Sequence, residues 1–452
     1  LATARIGGIV AALNGWGTAA ELDHAITLSE PSLVVGDTRR LARASGFPPG
    51  VEVIDMDAEP DFFAPAVDAA DLDVPIDEDD PALILFTSGT TGRAKGALIS
   101  HRSIVGFVDG TLHNATEKKR VALEFLGIDP ATIPDQRQIV LNTSPLFHLS
   151  GLFAGVLMPA GEGNTVVFRE GRFDPADVLR LIEEERITSW TAIGSMGPSV
   201  MTHPDLATRD TSSLTRMSSG GAHLSEHMQQ QIRTHFPQAA AAIGQGYGSS
   251  ESVGVVTSIG GQAFADDPAA AGTPCLGFDI EIRDAADQPV ADGVDGEVHV
   301  RSPYSMLEYW RNPEATAATI KPGRWLAMGD VGRLEHGVLY LNSRARDMII
   351  RSGENIYPIE IENRIEAHPD VAEVAVIGVD HVDLGQEVRA VVVPTGDAFD
   401  PEALGSWCAE ELASYKVPTQ WERRSEPLPR NAAGKVVKDA ITGDRELSTY
   451  DD

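Results

Sequence analysis

Residues 87–96 read Thr87-Ser88-Gly89-Thr90-Thr91-Gly92-Arg93-Ala94-Lys95-Gly96, and the apolar run Leu83-Ile84-Leu85-Phe86 comes directly before them. Four hydroxyl side chains, three glycines and a lysine share this segment. Glycines let backbone N–H groups approach an oxyanion, hydroxyls add small donors, and a lysine supplies a positive charge. The segment therefore predicts a phosphate-binding loop that follows a strand, with a nucleotide as its ligand.

This loop does not follow the pattern G-x-x-x-x-G-K-[ST], because Ala94 stands where the second glycine should precede Lys95. A P-loop NTPase is therefore disfavoured. A flexible surface loop rich in glycine and threonine is the simpler alternative. The preceding strand and the lysine favour binding over mere flexibility.

Length and charge narrow the class of protein. A chain of 452 residues exceeds what one hydrophobic core usually supports, so at least two domains are expected. The 67 acidic and 36 basic residues give a net charge of −31, which repels nucleic acid and anionic lipid. The cysteines, Cys275 and Cys408, are too few for a disulfide framework and have no metal-ligand spacing. We expect a cytoplasmic enzyme without membrane-spanning segments, since no apolar run approaches about 20 residues.

The spacing of apolar residues predicts an α/β fold. From Ser32 to about Gly260, short apolar runs alternate with longer amphipathic stretches, as in βα units with a largely parallel sheet. Asp174-Pro175 and Ser225 look like helix starts. Residues 272–340 have shorter strands and more turns, which predicts a β-rich subdomain. A compact α+β pattern of about a hundred residues follows Asp347.

The loop at 87–96 resembles the phosphate-binding signature of the adenylate-forming superfamily, which includes acyl-CoA synthetases, luciferases and peptide-synthetase adenylation domains. Eight further motifs follow in the order of that superfamily and extend over nearly the whole chain. They are Pro145–Gly151, Ser219–Ala222, Gly244–Glu251, Gly296–Arg301, Gly329–Asp330, Ser343–Asp347, Arg351–Pro358 and Pro429–Lys435.

The resemblance implies a large N-terminal core, residues 1–343, built from parallel α/β layers and a β-rich subdomain. It also implies a small mobile α+β C-terminal domain, residues 344–452, with a hinge near Arg346. Because similar proteins carry several dozen more residues before the position of Leu1, we expect the core to be N-terminally incomplete.

The resemblance also assigns roles to individual residues. Lys435 would bridge the acid carboxylate and the α-phosphate during adenylation, and Glu251 would be a Mg²⁺ ligand. Tyr247 would stack on adenine, Ser250 would donate to the α-phosphate, and Asp330 would accept hydrogen bonds from the ribose hydroxyls. Arg344 would contact ribose and phosphates as a further catalytic residue. The complete expected set of nucleotide and coenzyme A contacts is Thr87, Ser88, Gly89, Thr90, Thr91, Gly92, Lys95, Gly221, Ala222, Gln245, Gly246, Tyr247, Gly248, Ser250, Asp330, Arg344, Arg346, Ser352 and Gly353.

Several of these residues have simpler interpretations when each is considered alone. Lys435 could be a surface lysine, and Arg346 a loop arginine. His148, a further expected catalytic residue, lies where the family places a gate between the nucleotide and acyl pockets, but a histidine beside apolar neighbours is more often a core residue. The candidate acyl-pocket walls are uncharged, which predicts an apolar acid, either fatty or bulky and alicyclic or aromatic. They are 147–151, 193–196, 218–222 and 253–256.

Three functions remain open at this point. The loop Arg351-Ser352-Gly353-Glu354-Asn355 looks like that of acyl-CoA ligases, so coenzyme A is the expected acyl acceptor, with ATP and Mg²⁺ as further cofactors. An enzyme that loads a carrier-protein thiol is the second possibility, and a member that binds its ligands without catalysis is the third. Partners are expected to be small molecules and not nucleic acid, and a homodimer is left open.

Overall fold

The computed structural model describes residues 2–59, 74–87, 94–125, 127, 129, 137–220, 224–344, 347–352, 354–431 and 434–443. The first elements form a small N-terminal layer. Strands β2 and β3 pair in parallel there, and β1 joins the sheet of the phosphate loop through β4. In chain order the elements are α1 (Ala2–Arg5), β1 (Val10–Ala12), α2 (Ala19–Ser29), β2 (Leu33–Gly36), α3 (Thr38–Leu41), β3 (Glu52–Asp55), β4 (Pro81–Thr87), β5 (Lys95–Ser100) and α4 (His101–Phe125).

The centre of the chain alternates strands and helices. Its elements are β6 (Ile139–Asn142), a π-helix (Ser150–Leu157), α5 (Met158–Gly161), β7 (Thr165–Phe168), α6 (Pro175–Glu184), β8 (Ser189–Ile193), α7 (Met196–Met201), β9 (Arg216–Gly220), α8 (Glu226–His235), β10 (Ile243–Ser249), β11 (Gly254–Gly260) and α9 (Gln262–Asp266), with short 3₁₀ helices at Pro204–Ala207 and Pro237–Ala242. Five of these strands pair in the order β7-β6-β8-β9-β10, and all four pairings are parallel, as predicted.

The predicted helix starts are confirmed. The Asp174 carboxylate accepts a hydrogen bond from the Ala176 N–H at 3.0 Å, and Pro175 occupies the first turn of α6, where its missing N–H costs nothing. The Ser225 hydroxyl accepts from the Met228 N–H at 3.2 Å and begins α8. Helix α6 buries Val178, Leu179 and Ile182 against Trp190 of β8 in one core cluster.

The sheet continues as an antiparallel region in which strands pair in the order β10-β11-β12-β18-β17-β14-β13. This arrangement confirms the predicted β-rich subdomain. In chain order, the elements of residues 270–344 are β12 (Ala270–Pro274), β13 (Asp279–Arg283), β14 (Gly296–Arg301), β15 (Glu308–Tyr309), α10 (Pro313–Thr319), β16 (Ile320–Lys321), a 3₁₀ helix (Pro322–Arg324), β17 (Trp325–Glu335) and β18 (Val338–Arg344).

One part of the topology differs from the expected parallel arrangement. Strands β4 and β5 form an antiparallel hairpin, and β15 pairs antiparallel with the other edge of β5. The sequence places only seven residues between these strands, which is too short for a crossover to a parallel neighbour. The segment predicted to bind phosphate therefore connects two antiparallel strands.

The C-terminal part forms its own five-stranded sheet around a separate core that includes Ile361, Val376 and Leu404. The expected α+β pattern is confirmed, whereas the boundary at 343/344 stays a prediction. The elements are β19 (Ile349–Arg351), β20 (Glu354–Ile356), α11 (Pro358–Glu366), β21 (Val371–His381), β22 (Gly385–Pro394), α12 (Pro401–Ala409), β23 (Gln420–Arg423) and α13 (Lys438–Thr442). Among the described residues, no helix is both long and apolar enough to cross a bilayer.

Candidate active site

The ends of β4 and β5 flank the predicted phosphate loop. Thr87, the last residue of β4, pairs with Lys95, the first residue of β5, so the two lie side by side. Ala94, the residue before Lys95, is bonded to helix α2 of the N-terminal layer: its carbonyl oxygen accepts a hydrogen bond from His24 Nε2 at 3.0 Å. The predicted contacts Ser88, Gly89, Thr90, Thr91 and Gly92 lie outside the described residues.

The motif at 244–251 forms strand β10 and a tight turn. A Cβ on Gly248 would lie 1.9 Å from the Gly254 carbonyl oxygen, so the close approach of β10 and β11 requires glycine there. In the turn, the Ser249 N–H donates to Ser252 Oγ at 2.9 Å, and the Ser252 N–H donates to Ser249 Oγ at 3.2 Å. These reciprocal bonds fix the turn that carries Ser250 and Glu251.

Two of the expected nucleotide contacts touch each other. The Tyr247 hydroxyl donates to Asp330 Oδ2 at 2.7 Å, although 83 positions separate them in sequence. Asp330 lies in β17, opposite Arg344 in β18. The side chain of Arg344 lies outside the described residues, but its backbone position is next to Asp330. The sheet thus brings the predicted adenine, ribose and phosphate contacts to one place.

Glu251 has a partner that the sequence did not identify. The Tyr309 hydroxyl donates to Glu251 Oε1 at 2.6 Å, and the Lys95 ammonium lies 4.4 Å from the centroid of the Tyr309 ring. Burial, together with the negative charge of Glu251, raises the pKa of Tyr309, so the phenol keeps its proton. No sequence signal indicated this contact, because Glu251 and Tyr309 are 58 positions apart and Leu307-Glu308-Tyr309-Trp310 reads as an ordinary strand.

The carboxylate of Glu251 fits a magnesium ion that is held together with a nucleotide. Within the described residues, no group of three or more histidine, cysteine or acidic side chains could enclose a metal. Mg²⁺ is usually held by one or two carboxylates together with substrate phosphates and water. Glu251, a single carboxylate close to the phosphate-loop lysine, meets that requirement.

Gln245 and Gly246 have clear roles in the backbone structure. The Gln245 side chain is buried, where its Oε1 accepts from the Leu224 N–H at 2.9 Å and its Nε2 donates to the Ala270 carbonyl at 2.8 Å. These bonds hold the chain that follows Gly221 and Ala222, which are themselves outside the described residues. A contact of Gln245 or Gly246 with a nucleotide stays a prediction.

A C-terminal hairpin reaches the central sheet. The Asn431 N–H donates to the Lys435 carbonyl at 2.9 Å, and the Lys435 N–H donates to the Asn431 side-chain oxygen at 3.0 Å. The hairpin rests on Gly194, which follows β8: a Cβ on Gly194 would lie 2.3 Å from the Gly434 carbonyl oxygen. Lys435 is thereby placed at the carboxyl end of the parallel strands.

His148 lies close to this hairpin. Burial and, secondarily, the positive charge of Lys435 lower the pKa of His148 to about 4. Its Nε2 is buried and has no hydrogen-bond partner among the residues that the structure describes. The ring lies 4.7 Å from that of Phe147, which in turn meets Trp16 edge-to-face at 5.4 Å. His148 is therefore an uncharged ring at neutral pH, which suits a gate better than a proton donor.

The remaining predicted residues belong to the coenzyme A loop, the hinge and the acyl pocket. Ser352 has a left-handed backbone (φ 53°), and its N–H donates to the Leu384 carbonyl at 2.7 Å in the turn between β19 and β20. Arg346 and Gly353 lie outside the described residues. Of the expected acyl-pocket walls, Val253 and Val256 are buried in the core with Leu85 and Phe153 and expose almost no surface to a ligand.

Comparisons with known proteins agree with this arrangement. The model of the AMP-binding enzyme family matches residues 1–310, and the model of the AMP-binding enzyme C-terminal domain matches residues 360–435. This chain belongs to the AMP-binding enzyme family. Similar proteins include a feruloyl-CoA synthase from Amycolatopsis, 32% identical over 93% of this chain and 80% of that protein. A long-chain-fatty-acid–CoA ligase from Mycobacterium tuberculosis is 31% identical over 88% of this chain and 75% of its own length.

Among solved structures, the o-succinylbenzoate CoA synthetase of Bacillus subtilis, determined with its acyl-adenylate intermediate, superposes with a TM-score of 0.77. It is 26% identical, and the match covers 99% of this chain and 86% of that one. As a member of the AMP-binding enzyme family with CoA-ligase relatives, the chain is an AMP-forming acyl-CoA synthetase. Such enzymes use ATP, Mg²⁺ and coenzyme A.

Proposed function

We propose that this protein activates an apolar carboxylic acid as an acyl-adenylate and then transfers the acyl group to coenzyme A. The observation that carries the proposal is the position of Lys435. Its hairpin rests on Gly194, and its charge acts on the buried His148. Gly194 follows β8 and His148 follows β6, which are neighbouring parallel strands of one sheet. Both therefore lie at the carboxyl edge, where open α/β sheets bind ligands.

The nucleotide would lie along the neighbouring strands. Tyr247 and Asp330, already joined by a hydrogen bond, would hold adenine and ribose, and the Ser249–Ser252 turn would present Ser250 and Glu251 to the phosphates. Because these groups are fixed before any ligand binds, little reorganisation would be needed during the reaction. Glu251 is the expected Mg²⁺ ligand, where the cation would offset phosphate charge.

The first half-reaction would join an acid oxygen to the α-phosphorus of ATP and release pyrophosphate. Lys435 would stabilise the negative charge that builds between carboxylate and α-phosphate. In the second half-reaction, the coenzyme A sulfur would attack the acyl carbon and AMP would leave. We propose that the C-terminal domain, turning near Arg346, exchanges Lys435 for the Ser352–Gly353 loop between the two steps.

The acyl pocket supports an apolar acid. His148, on which the charge of Lys435 acts, is neutral, and the aromatic rings of Phe147 and Trp16 continue from it. Such a surface favours an apolar tail, and none of these three side chains is a counter-ion for a second carboxylate. The similar proteins act on feruloyl and long-chain fatty acyl groups according to their names, which fits this chemistry without selecting one acid.

A panel of fatty, alicyclic and aromatic acids tests this function. We expect acid-dependent pyrophosphate release with at least one apolar acid, and little release with a dicarboxylic acid of similar size. Release that occurs with an acid but never yields a CoA product would favour the carrier-loading alternative. Nucleotide binding without any release would favour a binding protein.

A further inference from the structure

Tyr309 occupies an unusual position between two opposite charges. Its hydroxyl donates to Glu251 at 2.6 Å, and its ring face lies 4.4 Å from the Lys95 ammonium. Tyr309 is only 4% exposed, whereas Lys95 and Glu251 are each partly exposed to solvent. No ion pair within 4.0 Å joins Lys95 directly to a carboxylate in the part of the chain that the structure describes.

The backbone around Tyr309 holds it against both partners. Tyr309 pairs with Ala97 on β5, the strand that begins at Lys95, and the Trp310 N–H donates to the Gly96 carbonyl at 2.7 Å. On the other side, the Met306 N–H donates to the Glu251 carbonyl at 2.9 Å. One five-residue segment is thus bonded to the phosphate-loop strand and to the Glu251 turn.

The two contacts use different parts of the tyrosine. A phenol hydroxyl that donates to one carboxylate oxygen fixes the carboxylate and leaves its other oxygen available. An aromatic face attracts an ammonium group without neutralising it through a carboxylate. Without this side chain, a lysine and a glutamate at the same site would attract each other directly, and each would be less available to a nucleotide with its cation.

We propose that Tyr309 is a positioning residue that holds Glu251 and Lys95 apart, so that the carboxylate stays free for a divalent cation and the ammonium for phosphate. This inference rests on the proposed function, because it assumes that Mg²⁺ and ATP bind here. It assigns Tyr309 no contact with the reacting atoms. Its effect is on the cation dependence of nucleotide binding.

Two substitutions separate the contacts. Tyr309→Phe removes the hydroxyl bond to Glu251 and keeps the ring over Lys95, whereas Tyr309→Leu removes both. Tyr340→Phe is a matched control, because the Tyr340 hydroxyl also donates to a carboxylate, Asp267 at 2.5 Å, but Tyr340 lies in a different sheet from Tyr309. Calorimetric titration with ATP, in excess Mg²⁺ and in EDTA, measures how much the cation strengthens binding to each protein.

For Tyr309→Phe we expect the dissociation constant for ATP with Mg²⁺ to rise about tenfold, as expected for losing a hydrogen bond to a charged group. The constant in EDTA should stay near the wild-type value. Tyr309→Leu should weaken binding under both conditions, and Tyr340→Phe under neither. Thermal unfolding checks that each variant folds, and if Tyr309→Leu does not, the comparison of Tyr309→Phe with the wild type alone decides the matter.

The outcomes distinguish the two proposals. If the wild type binds ATP but Tyr309→Phe keeps the full Mg²⁺ dependence, the inference about Tyr309 is wrong and the proposed function stands. Equal weakening of Tyr309→Phe and Tyr340→Phe would also overturn it, because the loss would then be general. A wild-type protein that binds no ATP with Mg²⁺ would overturn both.

Discussion

Gly194→Ala is the substitution that most directly perturbs the contact between the Lys435 hairpin and the central sheet. The new Cβ would lie 2.3 Å from the Gly434 carbonyl oxygen, whereas ordinary contacts begin at 3.4 Å. The clash is with backbone, so the hairpin must retreat by about 1 Å, a misplacement that typically costs about a hundredfold in rate. We therefore expect adenylation to slow about a hundredfold. Thioester formation from a presynthesised acyl-adenylate should change much less, since Lys435 is assigned only to the first step.

The backbone strain of this substitution needs its own control. Gly194 has φ 57°, and alanine in that left-handed region costs roughly 1–2 kcal/mol. Gly163→Ala introduces the same strain at φ 69°, but its Cβ would meet no atom within 4 Å. Acid-dependent ATP–pyrophosphate exchange measures adenylation, and coenzyme A consumption from added acyl-adenylate measures the second step. If Gly194→Ala and Gly163→Ala slow adenylation equally, or if Gly194→Ala keeps the wild-type rate, the contact between Gly194 and the hairpin does not position Lys435.

Other substitutions test the remaining assignments. Lys435→Ala should lower acid-dependent pyrophosphate release by about 10²- to 10³-fold, comparable with the loss of an oxyanion donor. The same substitution should largely spare thioester formation from added acyl-adenylate. Equal losses in both steps would contradict the assignment of Lys435 to the first step alone. Arg346→Pro, which fixes φ, should let acyl-adenylate accumulate while acyl-CoA output collapses, and unchanged rates of both would show that the hinge lies elsewhere. A bulky residue at Gly353 should impair thioesterification more than adenylation in the same pair of assays. His148 has a pKa lowered to about 4, so its neutral form persists as pH falls below the usual histidine range. His148→Asn should therefore leave the shape of the pH–rate profile unchanged between about pH 5.5 and 8. Loss of a titration step in that range would contradict the neutral role of His148.

The sequence predicted the local structure well where caps and periodicity are strong. Asp174-Pro175 and Ser225 marked helix starts because their side chains satisfy free N–H groups at those positions. The parallel strands of the centre were recognisable as apolar runs between amphipathic helices. The order of the motifs also singled out Tyr247 and Asp330, which a hydrogen bond joins in the structure, while their contacts with a nucleotide stay predictions.

What the sequence could not predict depends on pairing between distant segments. The role of Tyr309 depends on β15 adding to the edge of β5, and a two-residue strand has no distinctive pattern. Val253 and Val256 were expected as pocket walls, and only their burial in the core cluster that includes Phe153 shows that they belong to the core. Gly194 is one of 43 glycines in the sequence, and its importance comes from a hairpin 240 positions further along the chain.

Mass spectrometry of a reaction containing ATP, Mg²⁺, coenzyme A and an accepted apolar acid shows whether this protein makes acyl-CoA through an acyl-adenylate. We expect acyl-CoA and AMP in equal amounts over many turnovers, and acyl-adenylate on the enzyme when coenzyme A is left out. Release of pyrophosphate without any acyl-CoA, or formation of acyl-CoA with ADP and phosphate as the other products, would contradict it.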